Sequence, residues 1–154
     1  MANLYLDSSA LVKRYAHEAG SGWVLNLFRP VARNSIYLSK ITPVETVAGL
    51  AMQSRMGVLS IEDLNKAMRR INLASARKFI IVDLTDMIVK SAISLVPKHG
   101  LRGYDAIQLA TAISISSNLV ASRMPALVFV SGDKGLNKAA SIEGLTVENP
   151  NDHP

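Results

Sequence analysis

The chain of 154 residues, with a mass of 16.6 kDa, has a length that favours a single domain. It contains no cysteine, which excludes disulfides, thiolate zinc sites and cysteine nucleophiles, and it opens without a signal-peptide pattern. The 17 Lys and Arg residues exceed the 12 Asp and Glu residues, so the net charge of +5 suits a polyanionic ligand, although it can also serve solubility alone. Together these features favour a cytoplasmic protein.

Five short apolar runs, most of them rich in β-branched or aromatic residues, predict β-strands. Nearly continuous apolar runs are typical of strands that are buried on both faces, so we expect a parallel sheet. In chain order the predicted strands are Asn3–Asp7, Ile36–Ser39, Phe79–Asp83, Ala126–Ser131 and Leu145–Glu148.

Longer segments with helical periodicity lie between these strands, and the alternation predicts a three-layer α/β sandwich over residues 1–148. Two consecutive helices, Thr42–Met56 and Ser60–Arg77, are expected to form a hairpin that projects from it. Residues 149–154 are predicted to be a polar, mobile tail. The other predicted helices are Ser9–Ala16, Ser21–Phe28, Thr85–His99, Tyr104–Val120 and Asp133–Ile142, and none is long and apolar enough to suggest a membrane span.

Four carboxylates stand next to apolar segments rather than among other polar residues: Asp7, Glu45, Asp105 and Asp133. An acid beside the core is costly unless something pairs with it. Asp7 and Asp133 each follow a predicted strand, and parallel strands bring their carboxyl ends to one edge of the sheet, where ligands of open α/β sheets bind. This pattern predicts one acidic pocket, and the natural partner of such a pocket is a hard divalent cation.

Each acid also has a purely structural interpretation when it is taken alone. Asp7 and Asp133 are well placed to cap helices, and Asp105 suits the first turn of one. The segment Thr42-Pro43-Val44-Glu45 matches a capping box, with Thr42 as the N-cap residue and Glu45 at the third helical position. Only the combination of the four acids favours a functional site over helix capping.

Four motifs in order along the chain resemble those of PIN-domain ribonucleases, and particularly of the VapC toxins of toxin–antitoxin pairs. They are YLDSSALVKRY, TPVETVAG, LRGYDAIQLATA and VSGDKGLNKAASIEGL. The resemblance implies a five-stranded parallel α/β/α sandwich and a Mg²⁺- or Mn²⁺-dependent endoribonuclease. It assigns the acidic positions to Asp7, Glu45, Asp105 and Asp133, and small hydroxyl residues near the metal to Ser8 and Ser131. Leu136 departs from the aromatic residue that many relatives have three positions after the last acid.

A VapC-like protein would also have an RNA substrate and a VapB-like antitoxin partner, and the hairpin makes a homodimer plausible. An inactive PIN-like module that binds RNA or protein is the alternative. A haloacid-dehalogenase-type phosphohydrolase is disfavoured, because it needs an Asp where this chain has Ser9. Basic side chains expected near the sheet edge, and therefore candidates for contact with the RNA backbone, are Lys13, Arg14, Arg102, Lys134 and Lys138.

Overall fold

The computed structural model describes residues 1–153 and contains one five-stranded sheet whose strands are all parallel. The strand order is β3-β2-β1-β4-β5, so the chain builds the sheet outward from β1 in one direction and then returns to add β4 and β5 on the other side. The strands are β1 (Asn3–Leu6), β2 (Ser35–Ser39), β3 (Ile80–Val82), β4 (Leu127–Val130) and β5 (Thr146–Glu148).

Seven α-helices connect and cover these strands, in agreement with the predicted alternation. The clearest difference from the prediction lies in the first helix, which ends at Leu11 and continues as a 3-10 turn over Val12–Arg14. The helices are α1 (Ser8–Leu11), α2 (Ser21–Leu27), α3 (Thr42–Arg55), α4 (Ile61–Arg77), α5 (Asp86–His99), α6 (Gly103–Ala121) and α7 (Lys134–Ile142). In residues 1–153 no helix has the length and apolar character needed to cross a membrane.

The sheet is covered on both faces, because successive side chains of a strand point in opposite directions. Tyr5 of β1 stacks on Phe129 of β4 with 5.5 Å between ring centroids, and both belong to the core formed with α5, α6 and α7. Leu4 and Leu6 of β1 belong to the core on the opposite face, which α1, α2 and the end of α4 complete. The predicted three-layer sandwich is therefore confirmed.

The helices α3 and α4 form the predicted hairpin. Leu50 of α3 packs with Ala67 and Ile71 of α4 in a small core of their own, which also includes Ala16. Gly57, in the loop between the helices, has a φ of 76°, a left-handed conformation that glycine adopts without strain.

Residues 149–153 are packed against the domain, and this corrects the prediction of a mobile tail. Pro150 is buried, and its carbonyl approaches Gly20 so closely that a Cβ on Gly20 would lie 2.1 Å from it. The His153 ring stacks on Trp23 at a centroid distance of 4.5 Å, and Asn151 Nδ2 donates to Gly132 O at 3.2 Å. Pro154 lies outside the described residues.

Candidate metal centre

The centre of the sheet holds the point at which the strand order reverses. The strands β2 and β3 extend the sheet from β1 toward one edge, and β4 and β5 extend it toward the other edge. This reversal leaves a crevice beyond the carboxyl ends of the neighbouring strands β1 and β4. Asp7 follows β1 directly, and the segment Ser131–Asp133 follows β4 directly. The position in the fold that most often binds ligands in such sheets therefore carries two of the four acids.

Asp7 is buried, with 3% of its surface exposed, and three groups donate hydrogen bonds to its carboxylate. The donors are Ala10 N at 2.9 Å, Ser9 Oγ at 2.7 and 2.9 Å, and Ser131 Oγ at 2.8 Å. The bond from Ala10 caps α1, so the capping interpretation is correct as far as it goes. The Asp7 side chain therefore both caps a helix and belongs to the central acidic site.

Ser9, rather than Ser8, bonds to Asp7. Ser9 Oγ also accepts a hydrogen bond from Gly132 N at 2.8 Å, so it joins the segment after β1 to the segment after β4. Ser131 bonds to Asp7 as well, while Ser8 is half-buried and is not among the donors to that carboxylate. The spacing could have indicated Ser9, because it occupies the second helical position, within reach of an N-cap side chain.

Glu45 is held by Gln108 and does not take part in a capping box. The N-cap position of α3 is Ile41, one residue earlier than predicted, and it makes no side-chain capping bond. Thr42 is buried instead, and its Oγ1 donates to Gln108 Oε1 at 3.1 Å. Tyr5 Oη donates to the same oxygen at 2.5 Å, while Gln108 Nε2 donates to Glu45 Oε2. This buried network orients the Glu45 carboxylate, and the sequence motifs did not indicate that Gln108 would hold it.

Asp105 and Asp133 begin two helices on the same side of the sheet. Asp105 is half-buried in the first turn of α6. Asp133 is exposed and caps α7, since its Oδ1 accepts from Leu136 N at 2.9 Å. Its own N–H donates to Ser131 Oγ at 3.0 Å, so Ser131 contacts both Asp7 and the Asp133 backbone.

The electrostatic interactions link the four acids into one group. Burial raises the pKa of Asp7 to about 6, and the negative charge of Glu45 adds to this effect. Burial likewise raises the pKa of Glu45, with a contribution from Asp105, and burial raises the pKa of Asp105, with a contribution from Asp133. None of the four forms an ion pair with a basic side chain in residues 1–153. The nearby positive charge of Arg102 lowers the pKa of Asp105 but does not cancel the effect of burial.

Comparison with known proteins agrees with this geometry. The family model of the PIN domain matches residues 4–140. The chain is also 30% identical over 149 residues to "Ribonuclease VapC45" of Mycobacterium tuberculosis, which covers 96% of this chain and 95% of that protein. The chain belongs to the PIN-domain family.

Solved structures show the same fold at lower sequence identity. The crystal structure of FitAcB from Neisseria gonorrhoeae has a TM-score of 0.65 and 20% identity, and covers 96% of this chain and 97% of that one. A toxin–antitoxin complex from Klebsiella pneumoniae has a TM-score of 0.59 and 21% identity, with coverage of 96% and 97%. The five-stranded parallel sheet and its helices are therefore those of a PIN domain.

The donor set of this PIN domain fits Mg²⁺ or a similar hard cation. Over the part of the chain that the structure describes, no three acidic or histidine side chains come close enough to form a complete ligand set. Mg²⁺ does not need one, because it keeps several water molecules and binds through one or two carboxylates. Asp7 is buried, Glu45 and Asp105 are half-buried, and all three offer only oxygen donors. Their pKa values are raised, and a bound cation would lower them by favouring the charged carboxylates.

The basic residues predicted to contact RNA divide into two groups. Lys13 is buried with its Nζ 3.1 Å from Glu18 Oε2, and the Arg14 guanidinium stacks 4.0 Å from the Phe28 ring centroid. Both side chains make contacts within the protein. The prediction that Lys13 and Arg14 contact RNA is therefore corrected, and we assign both a structural role. The other three candidates are exposed: Arg102, Lys134 and Lys138.

Proposed function

We propose that this PIN domain is a divalent-metal-dependent endoribonuclease that uses Mg²⁺ or Mn²⁺. The observation that carries the proposal is the group of four interacting carboxylates, unpaired with bases in residues 1–153, of which Asp7 and Asp133 lie at the crevice beyond β1 and β4. The curated relative at 30% identity is named a ribonuclease, and its similarity extends over 96% of this chain. The basic net charge of +5 favours a polyanionic substrate.

The proposed roles follow from how each side chain is held. Asp7 and Asp105 bind the main ion, and Glu45 and Asp133 complete the site directly or through water. The bound ion supplies activation of water and stabilisation of the charge on the phosphate. Ser9 and Ser131 fix the Asp7 carboxylate by their hydrogen bonds, as Gln108 fixes Glu45, so the acids are oriented before the substrate binds.

The resemblance to VapC also supports a role as the toxin of a toxin–antitoxin pair. In that role the protein would act in the cytoplasm on RNA, and a VapB-like antitoxin would block the crevice. A homodimer is part of the same proposal. The molar mass measured by light scattering, for this chain alone and with a co-expressed antitoxin, tests both partners.

Cleavage of RNA by the purified protein tests the nuclease itself. We expect cleavage in millimolar Mg²⁺, none in EDTA, and none by Asp7→Asn, since this change removes a charged ligand while keeping the capping oxygen. Asp83→Asn is the matched control, because Asp83 is exposed, pairs with Lys40, and follows β3, which lies two strands from β1 in the sheet. Cleavage by Asp7→Asn at the wild-type rate would show that the metal-site assignment is wrong. Binding of RNA by wild-type protein without cleavage would favour the inactive binding module.

A further inference from the structure

A basic pocket lies between the C-terminal end of α5 and one face of α7. It has a volume of about 220 Å³. Four of its residues are spaced along α7 so that they share one face of the helix, and two come from the last turn of α5. The lining residues are Lys98, His99, Gly135, Lys138, Ala139 and Ile142.

The charges in and beside this pocket leave it positive. Lys138 is exposed and forms no ion pair within residues 1–153. Lys98 Nζ and His99 Nε2 lie 2.5 and 2.6 Å from the same oxygen, Oε1 of Glu143. Glu143 therefore offsets the charge of Lys98 and accepts a hydrogen bond from His99, which leaves Lys138 as the unpaired positive charge of the pocket within residues 1–153.

The pocket borders the candidate metal centre at the first turn of α7. A Cβ placed on Gly135 would lie 3.3 Å from Asp133 Oδ1, so the glycine that lines the pocket also borders an acid of the centre. Lys138 comes five residues after Asp133, which is about 7.5 Å along the helix axis. A strand that places one phosphate among the acids would thus bring a neighbouring phosphate within reach of Lys138.

We propose that this pocket binds a backbone phosphate of the RNA next to the bond that is cleaved, with Lys138 as the main contact and Lys98 and His99 as the basic wall. The proposal rests on the proposed function. Lysine suits this role, since its ammonium is a compact point charge that does not require a fixed bidentate geometry.

Salt-dependent RNA binding tests the pocket without cleavage. The probe is a fluorescein-labelled oligouridine, and its affinity is measured by anisotropy in EDTA over a series of NaCl concentrations. For Lys138→Gln we expect several-fold weaker binding and a slope of log affinity against log salt that is smaller by about 0.7, the value for one phosphate contact to a single strand. The matched control is Lys90→Gln, an exposed lysine on α5 outside the pocket, which should leave the slope unchanged.

A variant that is expected to strengthen RNA binding provides a second test. Glu143→Gln removes the carboxylate that offsets Lys98, so it should strengthen oligouridine binding several-fold. A wild-type slope in Lys138→Gln, or equal losses in Lys138→Gln and Lys90→Gln, would overturn the proposal. Competition by polyglutamate as effective as that by unlabelled oligouridine would overturn it in favour of an acidic protein ligand. Because these measurements need no cleavage, a failed nuclease assay with the expected slopes would reject the enzyme and retain the phosphate site.

Discussion

The carboxylate of Asp7 shows how one side chain can serve both folding and function. Its oxygens accept three sets of hydrogen bonds and cap α1, yet burial still raises its pKa to about 6. The bonds offset only part of the cost of removing the charge from water. We infer that the protein without metal retains an unfavourable charge at its centre.

This charge makes the stability of the metal-free protein depend on pH. Between the ordinary pKa of 3.8 and the folded value of about 6, the folded protein binds the Asp7 proton more tightly than the unfolded chain does. The free energy of unfolding therefore falls as pH rises through this range, by about 3 kcal/mol for this group, and stays lower above it. Urea denaturation in EDTA should show this fall in the wild type and a smaller one in Asp7→Asn. Parallel pH profiles for the two proteins would contradict the assignment.

Sequence reasoning singled out the four acids and, through the family resemblance, Ser131, but it did not assign Ser9 or Gln108, which also hold the acids. The segment from Thr42 to Glu45 has the letters of a capping box, yet α3 begins one residue earlier and Thr42 turns into the core. Burial of Gln108 explains the difference, because its amide oxygen needs the Thr42 and Tyr5 hydroxyls as donors. A local pattern cannot show a partner that lies 66 residues away in the chain.

The same network predicts a strong effect of removing the Gln108 amide. Gln108→Leu keeps most of the side-chain volume but leaves the Tyr5 and Thr42 hydroxyls buried without their acceptor, so we expect a loss of about 2–4 kcal/mol in the free energy of unfolding. Cleavage should also fall, since Glu45 loses its donor. Chemical denaturation measures the first effect. A change below about 1 kcal/mol would show that water or another side chain replaces the amide.

At the scale of elements, apolar periodicity predicted every strand and helix close to its observed position. It was least accurate where the helix type changes, because α1 ends at Leu11 and a 3-10 turn follows. This turn contains Lys13, which is buried against Glu18, whereas the sequence predicted that Lys13 contacts the RNA backbone. A hydrophobic pattern with a period of 3.6 residues cannot identify polar residues that are buried by such long-range or non-helical contacts.

The hairpin offers a prediction about a single element. Ile71 on α4 is 1% exposed and joins α4 to Leu50 of α3, so Ile71→Ala should cost about 2–5 kcal/mol through the cavity that it leaves. Leu73→Ala on the same helix is the control, because Leu73 is 54% exposed. It should lower the free energy of unfolding by much less than Ile71→Ala does. Thermal and urea denaturation compare them. Similar losses at both positions would mean that Leu73 is covered in solution.

At the scale of the whole molecule, the crossover between β3 and β4 brings the acids together. The sequence predicted five parallel strands, but not their order, because nothing in an apolar run states which neighbour it will pair with. Order β3-β2-β1-β4-β5 puts Asp7 beside Ser131, as their 2.8 Å hydrogen bond records. Neither periodicity nor the resemblance to a known family had supplied this order.

A metal that binds only the folded protein should stabilise the whole domain. At a Mg²⁺ concentration of about 100 times the dissociation constant, linkage adds about 2.7 kcal/mol to the free energy of unfolding. We expect a rise in melting temperature with MgCl₂ beyond that given by NaCl of equal ionic strength, a smaller rise for Asp105→Asn, and the full rise for Asp83→Asn. An equal rise in all three proteins would place the ion elsewhere.

The position of β4 beside β1 also sets when the acidic centre comes into existence during synthesis. Asp7 is synthesised well before Ser131 and Asp133, and β4 can pair with β1 only after β4 itself has been made. At about 5–20 residues per second, the interval between the synthesis of Asp7 and that of Asp133 is about 6–25 seconds. Throughout that interval the nascent chain carries an incomplete centre, so no functional site can form before the segment after β4 has been added.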